Sequence, residues 1–141
     1  MILVTHVEIV KGGGYVTLYE GNSQTQNVVC EVNLDTQKIK FSSHECDNDE
    51  ARSIAICYAT IKTKLRFYDD PDGDKGDDYT EIEVKKYYNG CLRTVTTFED
   101  SPKDDYLDVT YHSHNGLDGK VSRLEIDAGT PTKAPVKFIK C

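Results

Sequence analysis

Between Asp69 and Glu81 the chain carries seven carboxylates and one lysine. Asp70, Asp72, Asp74 and Glu81 stand there at relative positions 1, 3, 5 and 12, the carboxylate spacing of an EF-hand calcium loop. Clustered carboxylates repel one another until a cation screens them, so the run is a candidate acidic cation site. Lys75 occupies the place where such a loop needs its turning glycine, and the flanks read as strands rather than helices. An EF-hand fold is therefore not expected. Gly73 and Gly76 still let the segment curl around an ion. The competing reading is a solvated acidic hairpin turning at Pro71 and Gly73.

Other chemistry is thinner. His112 and His114 lie two apart and share a face if they sit on a strand, but zinc needs further donors that the spacing does not supply. The five cysteines (Cys30, Cys46, Cys57, Cys91 and Cys141) form no C-x-x-C pair. They allow two disulfides with Cys141 as the odd thiol, or five reduced side chains; the sequence leaves both open. No G-x-S-x-G elbow, no phosphate loop and no nucleophile set beside a base is present, so a non-enzymatic protein is expected. Gly12-Gly13-Gly14 reads as a hairpin turn. The nine tyrosines could stack on sugars or simply fill strand positions, so a protein or carbohydrate target stays open.

The elements that must position these residues are strands. Val7–Val10, Tyr15–Tyr19, Val28–Leu34, Ile54–Tyr58, Leu65–Tyr68, Tyr79–Val84, Leu92–Phe98, Leu107–Tyr111, Leu124–Ile126 and Val136–Ile139 are rich in β-branched and aromatic residues, with Gly, Asn, Asp and Pro between them. A short helix near Asp47–Ile56 is the one helical alternative. Many short strands in a chain of 141 residues predict a single all-β sandwich or barrel. The net charge of −7 disfavours nucleic acid, which needs a basic face. No apolar run approaches the roughly 20 residues of a membrane span. Met1–Val10 lacks the basic start of a signal peptide, although a processed secreted chain given a new Met1 would look the same.

The chain also repeats itself. Val16-Thr17-Leu18-Tyr19-Glu20 resembles Leu65-Arg66-Phe67-Tyr68-Asp69, an offset of 49 residues. At an offset of 70, Phe41-Ser42-Ser43-His44 resembles Tyr111-His112-Ser113-His114, and Asn48 through Ile56 aligns with Asp118 through Ile126. The second copy thus carries about 21 extra residues, placed at 85–105. Unit one spans about 7–58, unit two about 61–126, and a tail fills 127–141.

These blocks resemble the βγ-crystallin superfamily, whose unit is a four-stranded Greek key. Its hairpin begins with an aromatic strand. A later loop reads Asn/Asp, Asn/Asp, any, any, Ser/Thr, Ser before an alternating strand. Asn48-Asp49-Glu50-Ala51-Arg52-Ser53 fits except at Arg52; Asp118-Gly119-Lys120-Val121-Ser122-Arg123 fits except at Gly119 and Arg123. The hairpin's usual glycine has a counterpart in Gly73 after Tyr68 but none after Tyr19, and tryptophan is absent. The resemblance implies two Greek-key units forming a sandwich, with Ca²⁺ held by oxygens pooled from both. One site carries over, made of Ser122, the carbonyls of Lys120 and Glu20, and the side chain of Asp49. In the other, Arg52 replaces the hydroxyl and Gly119 removes the side-chain oxygen. A calcium-binding structural or protective role follows. The alternative on the same fold is a secreted effector, toxin-like, antimicrobial or a protease inhibitor. Location is unsettled, with extracellular slightly favoured over cytoplasmic.

Overall fold

The computed structural model describes residues 3–6, 9–10, 13–43, 46–130, 132–133 and 137–140. His44 and Cys141, and the ends of two expected strands, Val7 and Val136, lie outside the described residues. Among the described residues the only helical element is a 3-10 turn at Phe41–Ser43. Everything else regular is strand: β1 (Leu3–His6), β2 (Ile9–Val10), β3 (Tyr15–Gly21), β4 (Thr25–Asn33), β5 (Gln37–Lys40), β6 (Ser53–Cys57), β7 (Lys64–Tyr68), β8 (Tyr79–Val84), β9 (Cys91–Leu92), β10 (Leu107–His112), β11 (Arg123–Asp127), β12 (Thr132–Lys133) and β13 (Lys137–Lys140).

Two antiparallel sheets dominate. One has the order β4-β3-β6-β9 and the other β10-β8-β7-β11-β5. Near the chain ends, β1 pairs with β13 and β2 with β12. Side chains alternate as a half-buried sheet requires. In β7, β8 and β11 the inward set is Leu65, Phe67, Ile82, Val84, Leu124 and Ile126, each at most 1% exposed. The outward set is Arg66, Glu81, Glu83 and Glu125. The inward faces of both sheets meet in one apolar cluster, with Val16, Leu18, Ile54 and Ile56 supplied by the smaller sheet. This is a β-sandwich core.

The segment Asp47–Ile56 forms no helix. Its second half is β6, whose five residues are all buried between neighbouring strands, so the ladder to β3 outweighs any helical tendency. By sheet position β10 is the strand without a counterpart and β9, inside the 85–105 segment, stands beside β6 as β5 stands beside β11, whereas the offset of 70 aligns β10 with β5.

Two disulfides, Cys30–Cys46 and Cys57–Cys91, link the four cysteines expected to pair. Cys57 and Cys91 are direct partners across β6 and β9. Cys46 anchors to β4 the loop that leads into Asn48-Asp49.

Candidate cation site

The two Asn/Asp loops face each other across a pseudo-twofold set of backbone hydrogen bonds. Asp49 N–H donates to the Val121 carbonyl at 3.2 Å, and Gly119 N–H donates to the Ala51 carbonyl at 2.9 Å. Arg52 N–H donates to Tyr19, and Ser122 N–H donates to Tyr68, both at 2.8 Å. Residues matched at offsets 49 and 70 in the sequence therefore make matched bonds. Asp49 and Gly119 also share the left-handed backbone conformation, with φ of 61° and 76°. Glycine adopts it freely, and aspartate tolerates it better than most residues.

This crossing brings Asp49 to Ser122, 73 residues away in the chain. The Ser122 hydroxyl stands 3.2 Å from the Asp49 carboxylate and 3.2 Å from the Lys120 carbonyl. The Ser122 hydroxyl thus reaches two of the other three expected donors. Glu20, the fourth expected donor, follows Tyr19, whose carbonyl accepts from the Arg52 N–H. The corresponding residue beside Ser122 is Asp69, which follows Tyr68. The repeat had already matched Glu20 with Asp69, which was the available signal.

Asp69 is half-buried, and burial together with the charges of Asp77, Asp78 and Asp49 raises its pKa, against the lowering influence of Lys120. The carboxylates of Asp69, Asp77 and Asp78 offer oxygens all within 4.8 Å of one another, and no other acidic, histidine or cysteine group among the described residues is as close-set. Asp78 is already committed. It is fully buried and accepts hydrogen bonds from the backbone N–H groups of His114, Asn115 and Gly116 and from the Tyr111 hydroxyl. Burial opposes its ionisation, but those donors outweigh burial and hold its pKa below the usual carboxylate value. It fastens the 114–116 loop. Asp77 accepts from the Asp78 backbone N–H through one oxygen, and Asp49 accepts from the Ser122 hydroxyl.

In the other loop, Gly119 lies against Arg52. A Cβ on Gly119 would lie 3.1 Å from a terminal guanidinium nitrogen of Arg52. Arg52 thus sets a fixed positive charge against Gly119.

The structure separates the EF-hand-spaced quartet. Asp70 accepts from the backbone N–H groups of Asp72 and Asp74. Asp72 pairs with Lys40 at 2.8 Å, and Asp74 accepts from Gly76 N–H. Glu81 sits on β8, where it faces Arg66 and His112. His112 itself stacks on Tyr79 with ring centroids 4.1 Å apart. No histidine belongs to the close-set group of potential ligands.

No protein-family model, curated protein or solved structure matches this chain. The site therefore stands on its own geometry. Its donors are a hydroxyl, a backbone carbonyl and carboxylates, all hard oxygens. That set suits Ca²⁺, which takes six to eight oxygens in flexible arrangements, and leaves the remaining positions to water.

Proposed function

We propose that this is a non-enzymatic calcium-binding protein of βγ-crystallin-like build, with a structural or protective role. The observation that carries the reading is the convergence of the Ser122 hydroxyl, the Asp49 carboxylate and the Lys120 carbonyl from two halves of the chain. Topology supports it. In the first half β6 returns beside β3, and in the second β11 returns beside β7, as the fourth strand of a Greek key returns beside the first. Each sheet then borrows a strand from the other half, β9 beside β6 and β5 beside β11. The two disulfides support an oxidising, extracellular setting, and no described helix is long and apolar enough to cross a membrane.

An ion held by Asp49 and Ser122 pins the two halves together. Binding to the folded state alone adds about 2.7 kcal/mol at a hundredfold excess of ion over Kd. Thermal melts should therefore shift upward with Ca²⁺ and less with Mg²⁺, which accepts irregular oxygen cages poorly. Ser122→Ala should remove most of that gain. Asp72→Asn and Asp74→Asn should leave it intact. A shift that survives Ser122→Ala and vanishes with the loop variants would move the site to 70–81 and sink the reading.

Lys120 gives a sharper test. Only its carbonyl is a donor, while its ammonium lies close enough to Asp69 to oppose the raising of that pKa. Lys120→Gln keeps the carbonyl and removes a charge that repels the ion. Calcium affinity should rise several-fold, on the order of 1 kcal/mol. Weaker binding by the variant would mean that the ammonium organises the site.

A further inference from the structure

Two Asn-Gly pairs occur in the chain, Asn89-Gly90 and Asn115-Gly116. A glycine after asparagine leaves its main-chain nitrogen unhindered and the backbone free to turn, so that nitrogen can reach the asparagine Cγ. Both asparagines are exposed, and both lie in loops, one between β8 and β9 and the other between β10 and β11. The chemistry open to such a pair is loss of the side-chain amide. The glycine nitrogen gives up its proton and bonds to Cγ. The Cγ–Nδ2 bond then breaks, and ammonia leaves. Water opens the resulting succinimide, at the side-chain carbonyl to give aspartate or at the main-chain carbonyl to give isoaspartate.

The two loops differ in what the attacking nitrogen meets. Gly116 N–H donates to one carboxylate oxygen of buried Asp78 at 2.8 Å. Asn115 and His114 N–H groups donate to the other oxygen, at 2.8 Å and 3.0 Å. An amide anion at Gly116 would therefore form against an ionised carboxylate, where like charges repel strongly. The same three bonds fix the nitrogen in place and hinder its approach to Cγ. Gly90 N–H donates instead to the uncharged Tyr88 carbonyl at 3.0 Å, a bond within one short loop.

We propose that Asn89 is a site of spontaneous modification to aspartate and isoaspartate, and that Asp78 protects Asn115 from the same reaction. The change at Asn89 has a structural consequence. Isoaspartate routes the main chain through the side-chain carbon and so lengthens it two residues before Cys91, which pairs directly with Cys57 across β6 and β9. The Gly90 carbonyl, which accepts from Tyr58 N–H at 3.0 Å, is displaced with it. β9 pairs with β6 through two residues, Cys91 and Leu92, so this is a short ladder to disturb. The inference does not depend on the cation site.

Incubation of the folded, disulfide-bonded protein at mildly alkaline pH, followed by peptide mapping with mass spectrometry, tests both parts. Asn89 should convert on the order of tenfold or more faster than Asn115, the difference expected when one anion forms against a carboxylate and the other does not. In guanidinium chloride the bonds to Asp78 are lost, and the two asparagines should convert at similar rates. Asn89→Gln should remove the fast release of ammonia from the folded protein. Asn115 converting as fast as Asn89 in the folded protein would overturn the proposal. So would an Asn89 that stays intact in the folded protein over the time in which the unfolded chain reacts. A rate ratio that persists unchanged in guanidinium chloride would trace the difference to local sequence, and would overturn the protective role of Asp78.

Discussion

Asp78→Ala should destabilise the domain by about 3–5 kcal/mol, since it removes a fully buried charge that satisfies several donors at once. Three backbone N–H groups and the Tyr111 hydroxyl converge on its two oxygens. Alanine leaves them without an acceptor, in space too confined for full hydration. Asp78→Asn should cost nearly as much, because an amide turns N–H donors toward backbone N–H donors. The pH dependence follows from the sign of the shift. The folded-state pKa lies below the unfolded value, so the stabilisation is present above the unfolded carboxylate pKa. It is lost as pH falls through the folded value. Urea melts at neutral pH and near pH 3 measure both effects: the gap between wild type and Asp78→Ala should narrow in acid. A variant as stable as wild type at neutral pH would show that the 114–116 loop is held by other contacts. Tyr111, pushed up to about 12 by burial and by its bond to Asp78, should stay un-ionised across this range.

Reduction of the two disulfides should have the other large effect. They close segments with sequence separations of 16 and 34. The chain-entropy relation gives roughly 3–4 kcal/mol for each. Together they approach the whole stability of an ordinary domain, about 5–15 kcal/mol. The reduced protein should melt tens of degrees lower or be unfolded at 37 °C, by circular dichroism with and without a dithiol reductant. The two bridges should also differ. Loss of Cys30–Cys46 frees the loop before Asp49 and should weaken calcium binding as well as stability. Loss of Cys57–Cys91 acts at the other end of β6 and should affect stability alone. An unchanged melt on full reduction would mean that the apolar core alone suffices.

The strands were legible because their alternation is strong: Leu65 and Phe67 against Arg66, or Ile82 and Val84 against Glu81 and Glu83. The approach of Asp49 to Ser122 was legible only through the resemblance of the two loops to the βγ-crystallin pattern, because no local pattern joins residues 73 apart. The repeat matches Glu20 with Asp69, but which hairpin partners which loop depends on where each loop returns, and only the folded backbone fixes that. The quartet at 70–81 misleads for a physical reason. Spacing predicts convergence only if the backbone wraps around the ion. Here Asp70 captures the N–H groups of Asp72 and Asp74, and Lys40 reaches Asp72 from β5. Glu81 is carried away along β8. Cysteine pairing was not legible either, since four cysteines allow three connectivities. The approach of Arg52 to Gly119 was anticipated in its charge, not in its position.

Titration calorimetry with Ca²⁺ tests the central claim most directly. The account predicts one ion per chain for the wild type, with the fixed charge of Arg52 in the related loop, and no measurable binding after Asp49→Ala or Ser122→Ala. Asp72→Asn and Asp74→Asn should bind as the wild type does. Undiminished binding by Asp49→Ala and Ser122→Ala, or no heat of binding from the wild type at millimolar calcium, would contradict it.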